Sequence, residues 1–444
     1  MNRSFRETRS GRAALILACA APALLYLGFL LATLPAVPFH PDEATYIFMS
    51  RDLDRILEQG PLAVCWHADG GSDPLQVERE RDCPLTRYAI GWARRLAGSS
   101  ATEANWNWRL DWEQNLALGA VPSQELLFHA RIPEALLLFL SVLLMARIGF
   151  RLGGWTGAVA AAALIGLNSQ VLLHARRAMS ESGLLFGMIL VVAVLLEPRR
   201  RAGSFLRGLG RPLLAGAALA IAVSAKHSGL LMAPVAAAAM FCVDAPSNRG
   251  KTLWRGIARN AVMILAFCVL FLAANPVYWC DPLGTLSAVV AERQRLMAEQ
   301  VDALRAASWM AVLDSPVHRL LAPYYEWFVA PPAFWDIPKY AASTAASENA
   351  YMAQPLHTLT ASWAGGLLTT VLAFAGLIWA AVRALRRKAD PPEWIAMVWL
   401  LSVFFGIVAG VPILWQRYYL PLIPAGAALS AAAIGALVDK IRKR

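Results

Sequence analysis

The stretch Phe39-His40-Pro41-Asp42-Glu43-Ala44-Thr45-Tyr46 follows directly on the first long apolar run, which extends from about Ala13 to Leu34. Its two carboxylates therefore sit where a helix leaves an apolar phase. Acids at that depth are costly to keep ionised unless something pairs with them. A solvated turn at a helix end is the plain alternative. The other polar clusters of the chain decide between these readings.

Of 444 residues, 58% are hydrophobic and 16% charged, and the mean hydropathy is +0.48. That is too apolar for an ordinary soluble domain and predicts an all-α, multi-span membrane protein. The net charge of +11 resides in short basic clusters between apolar runs, the pattern of cytoplasmic loops. No zinc-knuckle or basic-helix motif accompanies it, so nucleic acid is not the expected partner. The excess of Arg over Lys and the abundance of Ala suit a GC-rich bacterium. The cysteines show no metal-ligand spacing. Cys242 and Cys268 lie in apolar runs and read as small core residues. Cys65 and Cys83 share one polar segment and form a candidate disulfide if that segment faces an oxidising compartment.

Arg3, Arg6, Arg9 and Arg12 precede the first run, which exceeds the ~7–15-residue core of a signal peptide and reads as a retained span. A polar segment from Pro35 to about Glu125 opens with the stripe Tyr46, Met49, Leu53, Ile56 and Leu57, predicting a helix along the membrane surface. Gly60-Pro61 ends it. Trp106, Trp108 and Trp112 read as headgroup-level anchors, with sugar stacking the alternative. The second span runs from Ala130 towards Arg147 and Arg151, the third from Trp155 to about Leu173, and the fourth from Ser182 to Leu196. The basic loop of Arg199, Arg200, Arg201, Arg207 and Arg211 follows. A short fifth span covers Pro212 to Ala225 and ends at Lys226-His227. The sixth returns to Arg249, Lys251 and Arg255. The seventh leads from about Ile257 to Asn275-Pro276, and a second long polar segment, with a helix over Leu283–Arg305, extends to about Ser362. The eighth span ends at Arg383, Arg386, Arg387 and Lys388, the ninth rises from Trp394 to Trp415, and the tenth descends from Tyr418 to Val438. Lys440, Arg442, Lys443 and Arg444 close the chain.

About ten spans result, each near the ~20 residues needed to cross. Every basic loop falls on one side, so both termini are expected in the cytoplasm. No soluble domain boundary or 20–50-residue repeat interrupts residues 1–444, read as one transmembrane domain with outer loops at about 35–125 and 276–361. The outer face then receives Asp42, Glu43, Arg131, the cluster from His174 to Glu181, Lys226-His227 and Gln416-Arg417-Tyr418-Tyr419. Such a gathering can bind a lipid-linked phosphate through its cations and activate a hydroxyl through its carboxylates. Each member has a plainer reading: Lys226 snorkelling, Arg176 and Arg177 neutralising Glu181, His174 and His227 as interfacial residues, Arg417 as an anchor.

The order of motifs resembles the polyprenyl-phosphate-sugar-dependent glycosyltransferases of the GT-C fold, among them the protein O-mannosyltransferases and the aminoarabinose transferases that modify lipid A. The matching pieces are His40-Pro41-Asp42-Glu43-Ala44, Ala130-Arg131-Ile132-Pro133, Arg151-Leu152-Gly153-Gly154, the Arg176–Glu181 hairpin, Ala225-Lys226-His227-Ser228-Gly229, Asn275-Pro276 and Arg417-Tyr418-Tyr419-Leu420-Pro421. The resemblance implies a GT-C fold, a dolichyl- or undecaprenyl-type phosphate sugar as donor, and inverting transfer to a lipid, glycan or protein acceptor on the periplasmic face of a bacterial inner membrane. It implies Asp42 as catalytic acid or base, with Glu43 its acidic neighbour and Glu181 a second acid where many relatives have Asp. Lys226 and Arg417 match positions near the donor phosphate; Arg177 is grouped with them, and Tyr418, His174 and Arg131 are accessory candidates. No segment resembles the C-terminal soluble domain of some relatives, so acceptor recognition is expected from the two outer loops. A bridging divalent cation, Mg or Mn, is left open, since hard oxygen ligands suit both. Two other classes compete. A secondary transporter or lipid flippase would carry its charges near the midplane in matching halves, whereas these lie at helix ends. In a non-catalytic scaffold the Asp42-Glu43 pair would be incidental.

Overall fold

The computed structural model describes residues 9–70, 73–197, 209–241, 249–307, 312–324, 326, 331–334, 338–386, 391–442 and 444. Arg3, Arg6, Arg199, Arg200, Arg201, Arg207, Cys242, Arg387, Lys388 and Lys443 lie outside the described residues. Among those residues the chain is helical almost throughout, with one isolated antiparallel bridge between Val312 and Ile413.

The first apolar helix is α1 (Arg9–Ala32). The first polar loop folds as α2 (Pro41–Met49), α3 (Arg51–Gln59), α4 (Gln76–Arg81), α5 (Pro84–Leu96) and α6 (Trp112–Ala117). Next come α7 (Gln124–Gly166), the short α8 (Ser169–His174), α9 (Glu181–Leu195), α10 (Gly210–Ala225), α11 (Ala233–Phe241) and α12 (Arg249–Ala274). The second polar loop contains α13 (Pro282–Ala307), α14 (Pro316–Tyr324), α15 (Ala341–Met352) and α16 (Pro355–Thr358). The last three helices are α17 (Trp363–Leu385), α18 (Pro391–Gly410) and α19 (Leu422–Arg442).

Five described helices are long and apolar enough to cross a membrane: Gln124–Gly166, Leu253–Ala274, Ala364–Leu385, Pro392–Gly410 and Leu422–Arg442. Shorter apolar helices cover Ala20–Ala32, Glu181–Leu195, Gly210–Ala225 and His227–Phe241. α7 joins the second and third expected runs in 43 residues, broken at Gly153-Gly154, where Gly154 adopts φ +63°. The bend sets Gly149 against the backbone of Gly157, and Gly153 against Gly435 of α19, leaving no room for a Cβ. Small residues permit this close approach where lipid supplies no hydrophobic drive between helices. Leu138, Met145, Ile189, Val192, Trp399, Val403 and Leu429 fill the core between α7, α9, α18 and α19. α12 turns Ile264, Leu265 and Val269 outward, and α17 turns Leu367, Leu368 and Val371, as suits helices whose backbone is satisfied internally in lipid.

Two expectations about the first polar loop are corrected. The stripe assigned to a membrane-surface helix is two helices, α2 and α3, meeting at Ser50, and Tyr46, Met49 and Leu53 are each no more than 5% exposed. The polar face of α3 explains this. Asp52 receives Arg79 at 2.6 and 3.0 Å and Arg87 at 2.8 Å, drawing α4 and α5 over the helix. The second correction concerns the disulfide. Cys65 is bonded to Cys280, with Cα atoms 5.8 Å apart, and Cys83 is a buried free thiol. The Trp66 N–H donates to the Val277 carbonyl at 3.0 Å, laying Cys65 beside the second polar loop. Non-reducing peptide mapping is expected to recover Cys65 linked to Cys280. Cys65→Ser should lower the thermal midpoint, because removing a native disulfide typically costs about 2–5 kcal/mol. A Cys65–Cys83 peptide in that map would refute the pairing.

Candidate active site

The local sequence explains how the acidic pair is held. Pro41 opens α2 at its first helical position, where its missing N–H costs nothing. His40 caps the helix: its Nδ1 accepts from the Asp42 N–H at 3.2 Å, and its own N–H donates to Glu43 Oε2 at 3.0 Å. This reciprocal box satisfies two otherwise orphaned donors. Asp42 thereby stands in the first turn, where the helix dipole favours an anion.

Consecutive residues on this turn point to different surroundings. Glu43 is fully buried, and Arg131 of α7 binds it bidentately at 2.7 and 2.8 Å. The Ala178 N–H adds a bond of 2.8 Å. Burial alone would raise this carboxyl, but Arg131, with Arg177 and the Ala178 amide, holds it below the usual carboxylate range. Arg131 also donates to the carbonyls of Leu34 and Val37, so the pair ties the end of α1 to α2 and α7. Asp42 instead faces a cavity of about 290 Å³ and forms an ion pair with Arg417.

Seven chain regions meet at that cavity. Glu181, opening α9, binds Lys226 at the end of α10 at 2.8 Å. The Lys226 ammonium lies 5.3 Å from the Tyr418 ring centroid, and the Arg417 guanidinium 5.6 Å from the same ring. Lys226, Glu181, Asp42, Arg417 and Tyr418 thus converge, although residues 42 and 417 lie 375 positions apart. Trp106 and Trp108 also line the cavity. Trp106 is 4% exposed and packs edge-on against Tyr340 at 5.1 Å, so this ring is buried in a joint between the two polar loops.

A second cavity of about 190 Å³ adjoins the first and is lined by Leu184, Leu231, Met297, Ile407, Val411 and Pro421, with Gly406 and Gly410. The two share Arg81, Asp82, Lys226, Arg293, Arg417 and Tyr418. Polar space lies on one side of this wall and apolar space on the other.

Glu43, Arg131, Arg177 and His174 do not line either cavity. Arg177 donates to the carbonyls of Pro38 (3.2 Å) and Phe334 (3.1 Å). His174 Nε2 lies 3.2 Å from Gln416 Oε1, bracing the turn that carries Arg417. Neither arginine of the hairpin pairs with Glu181, contrary to their plainer reading. Arg176 is held by Leu172 O, the Thr33 hydroxyl, Tyr351 and His357.

Sequence reasoning missed Arg81, Asp82 and Arg293. A signal existed for Arg293. Its neighbours three and four residues away on α13, Val289, Val290, Leu296 and Met297, are all apolar, so no intrahelical acid can pair with it. Arg81 is held by Glu292 at 2.7 Å, and its carbonyl accepts from Arg293 at 3.2 Å. Glu78 accepts from Asn105 at 3.1 Å; burial raises its carboxyl against the pull of Arg81. Among the described residues no three His, Cys, Asp or Glu side chains are arranged to hold a metal ion.

No curated protein matches the chain at a significant level. The structure of ArnT from Cupriavidus metallidurans bound to undecaprenyl phosphate superposes with a TM-score of 0.53 at 17% identity, covering 96% of this chain and 60% of that one. The oligosaccharyltransferase AglB from Archaeoglobus fulgidus, in complex with an inhibitory peptide and a dolichol-phosphate, gives 0.50 at 13% identity, covering 95% of this chain and 51% of that one. The chain thus spans about half to three fifths of the length of these two structures. Residues 104–283 match the family model described as dolichyl-phosphate-mannose-protein mannosyltransferase. Family match and fold agree: residues 104–283 are similar to the dolichyl-phosphate-mannose-protein mannosyltransferase family, and the chain has the GT-C fold.

Proposed function

We propose that the chain is an inverting glycosyltransferase, moving a sugar from a polyprenyl-phosphate donor to a hydroxyl or phosphate of a lipid, glycan or protein acceptor. The observation that carries this reading is the cationic wall of Arg81, Lys226, Arg293 and Arg417 between a polar and an apolar cavity. A lipid-linked sugar phosphate has the same order of parts. Its tail suits the apolar space, its anion the wall, and its sugar the space beside Asp42.

On this reading an acceptor hydroxyl attacks the anomeric carbon from the side opposite the phosphate. The new C–O bond forms as the bond to the phosphate oxygen breaks, and the electron pair leaves with the polyprenyl phosphate. Asp42 takes the hydroxyl proton. Lys226, Arg293 and Arg417 stabilise the charge growing on the leaving oxygen, and Glu181 orients Lys226. Asp42 and a donor phosphate compete for the same Arg417 guanidinium, so donor binding frees the carboxylate for its proton. Glu43 and Arg131 position this turn from behind.

At 1.5 Å per residue α7 is about 65 Å long, more than twice a ~30 Å hydrocarbon core. With α7 crossing twice, the other long helices and the four shorter apolar ones complete ten crossings. The basic clusters then mark the cytoplasmic side, and the site opens to the periplasm.

The test is release of free polyprenyl phosphate by purified protein given polyprenyl-phosphate sugars and a membrane extract as acceptor. Turnover with at least one donor is expected, and none with any donor would sink the reading. Arg293→Gln should raise the donor KM by about tenfold or more, the effect of losing one hydrogen bond to a charged group. An unchanged KM would take Arg293 off the phosphate.

A further inference from the structure

The carboxylates around the polar cavity differ in what holds them. Asp42 is paired with Arg417, Glu181 with Lys226, and Glu299, towards the exposed surface, with Arg295. Asp82 is different. Among the described residues its side chain forms no ion pair, and the Tyr46 hydroxyl donates to its Oδ1 at 2.8 Å. A carboxylate accepts about four hydrogen bonds, so Asp82 keeps acceptor capacity on a wall that borders both cavities.

An acid beside four cations cannot serve the phosphate, because a phosphodiester anion offers no proton and repels a carboxylate. The lipid tail offers no donor either. The acceptor hydroxyl already has its proton acceptor in Asp42, which lines the first cavity only. The remaining source of donors is the sugar itself, at the hydroxyl flanking the carbon that carries the phosphate. Resting on the transferase reading above, we propose that Asp82 is a specificity-determining residue that accepts a hydrogen bond from the donor sugar's 2-hydroxyl. The site thereby selects a sugar with a free hydroxyl next to the anomeric carbon. Tyr46 is the positioning residue that orients the carboxylate. A site built to bind a hydroxyl discriminates against an analogue lacking it, because the polar group facing that hydroxyl then loses a partner.

Three donors test this: polyprenyl-phosphate mannose, polyprenyl-phosphate glucose and their shared 2-deoxy counterpart. The two sugars present the 2-hydroxyl on opposite faces, so the wild type should prefer one of them to the other, and that one to the 2-deoxy donor by about tenfold or more. Asp82→Ala should lower kcat/KM on the preferred donor by about ten- to hundredfold and erase its advantage over the 2-deoxy compound. Tyr46→Phe, which keeps the carboxylate but removes its orienting hydroxyl, should give a smaller loss in the same direction. An equal loss on all three donors would make Asp82 a structural residue, and an undiminished preference in Asp82→Ala and Asp82→Asn would remove it from sugar recognition. Both outcomes leave the transferase reading standing. Failure of the wild type on all three donors, with release from a sugar lacking the 2-hydroxyl, would overturn the proposal; failure on every donor would overturn the function itself.

Discussion

Asp42→Asn is expected to reduce release of polyprenyl phosphate by about a hundredfold or more, since general base catalysis typically contributes 10²–10⁴. The substitution is nearly isosteric and keeps the helix turn, because the His40 cap bonds the backbone N–H of residue 42 and not its side chain. It removes the proton acceptor and weakens the contact with Arg417. Donor affinity should therefore hold or improve while kcat falls, as the guanidinium no longer divides itself between carboxylate and phosphate. Single-turnover release with a saturating donor measures the chemical step directly. Equal rates for wild type and variant would exclude Asp42 as the base.

The second large effect is on folding. Glu43→Ala leaves Arg131 buried without its carboxylate, and removing one partner of a buried pair costs about 3–5 kcal/mol. The yield of folded protein in detergent and its thermal midpoint should both fall sharply. Pairing Glu43→Ala with Arg131→Leu should recover much of the loss, because no unpaired charge then remains. The same pair gives a pH dependence of definite sign. The folded-state pKa of Glu43 is depressed, so its contribution is present above the ordinary carboxylate pKa near 4.5 and is lost as pH falls through the depressed folded value. Stability should decline on acidification from that point, and the double variant should decline less. A single Glu43→Ala variant as stable as wild type would show that the pair does not hold α2 in place.

The contrast between Asp42 and Glu43 marks how far the sequence reaches. Apolar run lengths and basic clusters set the helical class and bring Asp42, Glu181, Lys226 and Arg417 to one end, because the cost of burying charge in lipid restricts where such residues can stand. They do not separate two adjacent acids. A helix turns about 100° per residue, so residue 42 faces the cavity and residue 43 faces Arg131 only once α7 has docked. The sequence offered Cys83 as the partner of Cys65, and the actual one, Cys280, depends on the Trp66–Val277 backbone contact between distant loops.

What the sequence by itself determined is a polytopic helical chain with an acidic turn after its first apolar helix and cations returning to the same level. Those features are local, written in composition and in periods of a few residues. Only the tertiary structure decided that Arg81, Asp82 and Arg293 complete the wall, that Trp106 joins two loops, and that polar and apolar cavities share one boundary. These depend on how two polar loops of ordinary composition pack over the helix ends. Such packing rests on pairwise contacts across hundreds of residues, Arg417 with Asp42 and Arg81 with Glu292 among them, and no local pattern in a sequence encodes those.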